Sequence, residues 1–148
     1  MTRVASLAGR HAYLDTNVFI YTLNAFPPLV PVLTRLFEMI DSGQLRALTS
    51  ELTLAELLVK PIRDGDLPAQ QTCQAMLLSN PRLTAMPITR QTLIESAHLR
   101  ATTALKLPDA LHLATATLAG CDVFFTNDTR FRLSTSAIEV VLLSELTT

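Results

Sequence analysis

The sequence predicts an α/β fold with a mainly parallel sheet covered on both faces. Three observations carry this expectation. Short apolar runs of strand length alternate with longer stretches of helical periodicity. The candidate strands are apolar enough to be buried on both sides, as strands of a parallel sheet are. Apolar residues make up 49% of a chain of 148 residues, enough for one domain spanning 1–148 with a core of useful size.

Each element follows from local signals. His11-Ala12-Tyr13-Leu14 reads as a strand ending at Asp15. Thr16 to Asn24 reads as a helix through Val18, Ile20 and Leu23, broken by Pro27-Pro28. Leu29 to Asp41 resumes a helical pattern, and Gly43 ends it. Leu45 to Thr49 is the second candidate strand, followed by a helix from Ser50 to Lys60 that Pro61 is expected to stop. Arg63-Asp64-Gly65-Asp66 is a polar turn, and Pro68 opens a helix that runs to Ser79. Leu83 to Pro87 predicts an edge strand, because Pro87 suits no central one. A long helix is expected from Thr89 to about Leu105, and another from Pro108 to Gly120. Val123 to Thr126 and Ile138 to Leu142 are the last strands, with a polar connection over Arg130–Ser136 between them. No repeat or low-complexity stretch interrupts this order.

The composition narrows the function classes. A formal net charge of −1 excludes a strongly cationic nucleic-acid binder, so any grip on a polyanion must come from a local patch or a metal. Cys73 and Cys121 lack metal-ligand spacing and read as buried free thiols in a reducing compartment. The first ten residues are too short and too weakly apolar for a signal peptide, and no apolar run approaches a membrane span of roughly 20 residues. The expected location is therefore the cytoplasm, away from a membrane.

Four acids stand in suggestive places. Asp15, Asp109 and Asp128 fall where a strand or loop feeds a helix or where a strand ends, the region where an open α/β sheet binds ligands. Each also has an ordinary explanation. Asp15 suits an N-cap, Asp109 suits the first turn of a helix after Pro108, and Asn127-Asp128 is good turn material. Glu56 follows Thr53 by three residues, as in a capping box. A helix starting at Ser50 or Thr49 would instead put Glu56 in the second turn, on a core-facing stripe with Leu52 and Val59, where an acid needs a partner. Together the four carboxylates would repel one another unless a cation such as Mg2+ or Mn2+ were held among them. Asn17 and Thr126 add polar groups beside Asp15 and Asp128. His112 lies one turn beyond Asp109 and reads either as a satisfied core histidine or as a supporting donor.

The motifs Tyr13-Leu14-Asp15-Thr16-Asn17, Ser50 to Glu56, Leu107-Pro108-Asp109-Ala110-Leu111-His112 and Phe124 to Asp128, in this order, resemble those of PIN-domain nucleases. The likeness is strongest to VapC-type toxins and covers nearly the whole chain. It implies a three-layer α/β/α sandwich, with Asp15, Glu56, Asp109 and Asp128 as catalytic metal ligands for Mg2+, or Mn2+ in its place. It further implies an RNA substrate, a cognate antitoxin and a homodimer. Asn17, Thr126 and His112 would support the site. Lys106, Arg130 and Arg132, which flank Asp109 and Asp128, are candidate RNA contacts or ordinary surface charges. The ten residues ahead of the first strand depart from compact toxins of this kind. A housekeeping RNA-processing nuclease and a non-cleaving binding module are the rival readings. A phosphotransfer enzyme using Asp15 as nucleophile is disfavoured, because Asn17 stands where its second acid would be.

Overall fold

The computed structural model describes residues 1–133 and 137–148. Its strands are β1 (Thr2–Arg3), β2 (His11–Leu14), β3 (Arg46–Ser50), β4 (Leu83–Met86), β5 (Val123–Thr126), β6 (Glu139–Leu142) and β7 (Leu146–Thr147). Its α-helices are α1 (Thr16–Leu23), α2 (Val30–Asp41), α3 (Glu51–Arg63), α4 (Leu67–Leu78), α5 (Arg90–Thr102) and α6 (Leu107–Leu118).

Five strands form an all-parallel sheet in the order β4-β3-β2-β5-β6. β4 is at an edge, where Pro87 removes no ladder bond. The two-residue side-chain period divides the core. Ala12, Leu14, Val123 and Phe125 pack on one face with Val18 and Phe19 of α1, Leu36 and Ile40 of α2, Leu57 of α3 and Leu77 of α4. Tyr13, Leu48 and Phe124 point to the other face, against Ala110, Leu113 and Ala116 of α6, and Leu99 of α5 packs at its edge. The result is a three-layer α/β/α sandwich, as the resemblance implies.

Three expectations need correction. Helix α3 does not stop at Pro61 but continues to Arg63. A proline cannot donate to Leu57 O, but the Cys73 thiol lies 3.8 Å from that carbonyl as a weak substitute donor. The Pro61 carbonyl in turn accepts from Asp66 N–H at 2.9 Å and from Gln70 Nε2 at 3.2 Å, and the ring is buried. Helix α5 ends at Thr102 rather than near Leu105, because Thr103 is extended and its hydroxyl donates to Leu99 O at 2.6 Å. The polar connection after Arg130 contains a 3-10 helix over Thr129–Leu133, and its last residues, 134–136, lie outside the described residues.

The first ten residues also gain a role that periodicity does not announce. β1 pairs in parallel with β7, joining the two ends of the chain. Arg10 bridges Asp122 at 2.9 Å and Glu139 at 2.9 Å. Among the described residues, no helix is long and apolar enough to cross a membrane.

Candidate active site

From β2 the chain winds outward through β3 to β4, then crosses back to β5 and outward again to β6. The reversal lies between β2 and β5. In an open parallel sheet this leaves a crevice at the carboxyl ends of the two strands, where ligands bind. Asp15 is the first residue after β2, and Asp128 is the second after β5. α3 leaves the carboxyl end of neighbouring β3. α6 runs into β5 and so begins above the same edge, with Asp109 in its first turn.

Asp15 is the N-cap of α1, as the ordinary reading has it, with Oδ1 accepting from Thr16 N–H at 2.8 Å. Its other oxygen does something a cap does not require. Oδ2 accepts from Thr126 Oγ1 at 2.7 Å and from Asn17 Nδ2 at 3.3 Å. Asn17 also donates to Thr126 Oγ1 at 3.1 Å and accepts from Asn127 N–H at 3.2 Å, which ties α1 to the end of β5.

Glu56 is in the second turn of α3, because Ser50 caps that helix by accepting from Leu52 N–H at 3.0 Å. A capping box with Thr53 is thereby excluded. The expected core-facing stripe is also corrected: Val59 is 52% exposed and the Glu56 side chain 36% exposed. Partners distinguish Glu56, not burial. Its Oε1 lies 2.6 Å from His112 Nε2 and accepts from Thr16 Oγ1 at 2.8 Å.

His112 is 1% exposed. Its Nδ1 is 2.6 Å from the Tyr13 hydroxyl, and its Nε2 is 3.8 Å from Asp15. It is thus a satisfied buried histidine, but two of its partners are the candidate acids. Asp128 accepts from Arg130 N–H and Nε, each at 3.0 Å, and Arg130 Nη2 reaches Asp109 at 3.4 Å. Contacts of 3.8 Å or less therefore run unbroken from Glu56 through His112, Asp15, Thr126, Asp128 and Arg130 to Asp109.

The electrostatics differ among the four. Burial raises the Asp15 carboxyl above the usual range, against the opposing pull of His112 and Thr126. Burial also raises Asp109, and the charges of Asp15 and Asp128 add to this while Arg130 opposes it. For Glu56, burial is outweighed by hydrogen bonding from His112 and Thr16, and the carboxyl falls below its ordinary value. The Arg130 hydrogen bonds hold Asp128 low.

Residues 12–133 match the family described as PIN domain, which is most of the chain. The chain belongs to the PIN domain family. No curated protein sequence matches it. Solved structures of similar fold include VapBC2 from Rickettsia felis bound to a promoter DNA fragment (17% identity, TM-score 0.71), which covers 89% of this chain and 98% of its own. A toxin–antitoxin complex from Klebsiella pneumoniae is 22% identical with a TM-score of 0.63, over 89% of this chain and 97% of that one. DNA-bound VapBC from Salmonella typhimurium is 20% identical with a TM-score of 0.63, over 90% and 98%. At these identities the likeness is one of fold.

PIN domains are in general nucleases that use divalent metals. The donor set of this PIN domain suits such an ion. It consists of carboxylate oxygens with amide and hydroxyl oxygens beside them, the hard ligands that Mg2+ and Mn2+ take. Burial raises both Asp15 and Asp109, and the charges of Asp15 and Asp128 add to the rise at Asp109, so a cation held there would favour their ionised forms. Among the described residues, no three His, Cys, Asp or Glu side chains are already gathered as a ligand set. Two of the acids are turned onto other donors: Glu56 onto His112 and Thr16, Asp128 onto Arg130.

Of the candidate RNA contacts, Lys106 is exposed at the N-terminus of α6, Arg130 pairs with Asp128 and Asp109, and Arg132 pairs with Glu145. Sequence reasoning missed Tyr13, Thr16 and Thr53. Tyr13 carried a usable signal, since a phenol in a strand buried on both faces must find a polar partner. Thr16 and Thr53, whose hydroxyls meet at 3.2 Å, carried none.

Proposed function

We propose that this PIN domain is a divalent-cation-dependent endoribonuclease that hydrolyses RNA phosphodiester bonds, and that it is the toxin of a toxin–antitoxin pair. The observation that carries the reading is the unbroken run of contacts joining Glu56, Asp15, Asp128 and Asp109 at the reversal between β2 and β5.

In this reading Asp15 and Asp109 hold Mg2+ or Mn2+ directly, since both stand at helix starts over the crevice. Asp128 and Glu56 complete the set directly or through water. A bound cation would supply charge neutralisation on the scissile phosphate and a more acidic water. The protein's own contribution is orientation. Thr126 and Asn17 fix one oxygen of Asp15, and Thr16 and His112 fix one oxygen of Glu56. Glu56 then orients the attacking water. Arg130, freed from Asp128, would meet the phosphate backbone, with Lys106 and Arg132 as further contacts.

The toxin assignment draws on the similar folds, which are described as VapBC and toxin–antitoxin complexes, two of them bound to DNA. A small antitoxin, a homodimer and a cytoplasmic site of action accompany it, in a chain organised as one domain over 1–148. Co-expression of a cognate antitoxin should restore growth if this chain is toxic.

EDTA is expected to stop cleavage of a mixed RNA substrate by the purified chain, and added Mg2+ or Mn2+ to restore it. Turnover that persists unchanged in metal-free buffer sinks the reading.

A further inference from the structure

The polar side chains behind Glu56 have a definite direction. A glutamate is ordinarily ionised at neutral pH, and a carboxylate only accepts. His112 Nε2, 2.6 Å from Glu56 Oε1, must therefore carry a proton. In the neutral ring this leaves Nδ1 as an acceptor, and Nδ1 is 2.6 Å from the Tyr13 hydroxyl. Tyr13 is fully buried in β2, and a phenol holds its proton at neutral pH and can donate it. Thr16 Oγ1 is a second donor to the same Oε1, at 2.8 Å. Behind it, Thr49 Oγ1 donates to Leu14 O at 2.7 Å, which leaves the 2.7 Å contact between Thr49 and Thr53 to be donated by Thr53. Two donors thus converge on one oxygen of Glu56. Among the described residues, none donates to the other.

We propose that His112, held in its Nε2–H form by Tyr13, is a positioning residue that fixes the Glu56 carboxylate by one oxygen and leaves the second for the reacting groups. This deepens the nuclease reading and rests on it for its kinetic consequence. The alternative is a histidine that only fills the core between β2 and α6. The two differ in what they demand of the side chain. Filling the core requires volume, whereas positioning requires an N–H at the place of Nε2. A metal-ligating carboxylate is oriented by its hydrogen-bond partner, so the place of the partner's N–H matters.

The test uses a pair of variants. In His112→Gln the amide nitrogen falls near the place of Nε2. In His112→Asn it falls near that of Nδ1, facing Tyr13 and out of reach of Glu56. The Asn variant is expected to cleave RNA about 10–100-fold more slowly, as for loss of an outer partner, and the Gln variant to recover most of that loss. In a Glu56→Gln background, His112→Asn should add little further loss, because the two act as one unit. Equal losses for Gln and Asn, or fully additive losses with Glu56→Gln, overturn the proposal. The tautomer is read separately, from the ring nitrogen shifts of the metal-free parent chain by NMR. The Nε2–H form with bare Nδ1 is expected, and an Nδ1–H ring overturns the proposal even if the variants do not fold. A parent chain with the expected tautomer and no RNA cleavage would refute the nuclease reading and leave the hydrogen-bond assignment standing.

Discussion

Asp15→Asn is expected to lower RNA cleavage by more than the roughly 10–100-fold that loss of a ligand's outer partner costs, with no fall in melting temperature at neutral pH in metal-free buffer. The first half follows from position. Asp15 is the acid at the strand reversal, and its neighbours Thr126, Asn17 and His112 connect it towards both Asp128 and Glu56. The second half follows from the sign of its titration. Burial raises the Asp15 carboxyl, so the native chain holds that proton more tightly than the unfolded chain does. Native stability then falls as pH rises from the ordinary carboxylate value through the raised one. Above that window the ionised Asp15 is a net liability to the fold. Asn keeps an acceptor for the Thr16 N–H and removes the charge. Asp128 works in the opposite sense: Arg130 holds it low, so its stabilising share is present above the ordinary value and is lost as pH falls. Melting temperature measured across the acidic range should therefore decline less steeply with rising pH in Asp15→Asn than in the parent. A variant that cleaves at the parental rate removes Asp15 from the catalytic centre. A variant that melts far lower at neutral pH shows that the carboxylate holds the fold.

How much of this was legible in the sequence depended on the range of the interaction. The acids could be picked out because each is marked by its neighbours: an apolar strand before Asp15, a proline before Asp109, Asn127 before Asp128. Those signals are local, and so are the element boundaries they accompany. The contacts that bind the acids into one site are not local. Tyr13 meets His112 across 99 residues and Thr16 meets Glu56 across 40. Neither pairing exists until β2, α3 and α6 are packed. The same limit explains Pro61. Its helix-breaking tendency is a local property, and the Cys73 thiol and Gln70 amide that compensate it arrive from α4. Glu56 was singled out for burial and turned out to be distinguished by its partners. The stripe argument assumed that Leu52 and Val59 face the core, and Val59 faces solvent.

Phe124→Ala should destabilise the chain by about 3–5 kcal/mol, a large part of the roughly 5–15 kcal/mol that holds a domain folded. Phe124 is fully buried, stacked on Tyr13 with ring centroids 5.1 Å apart, and 4.7 Å from Phe131. It belongs to the smaller of the two apolar clusters, where α6 covers the sheet, so few neighbours can close the cavity. Its neighbour Phe125 is equally buried but points to the opposite face. The two substitutions therefore remove the same atoms from different layers. Both should shift the urea midpoint with little change in slope. Only Phe124→Ala should also depress cleavage beyond the fraction unfolded, because it removes the ring against which Tyr13 stacks, and Tyr13 holds His112. A destabilisation below about 1 kcal/mol, within the ordinary run of single substitutions, would mean that α6 collapses onto the sheet. Equal excess losses of activity from Phe124→Ala and Phe125→Ala would mean that the second layer has no privileged link to the acids.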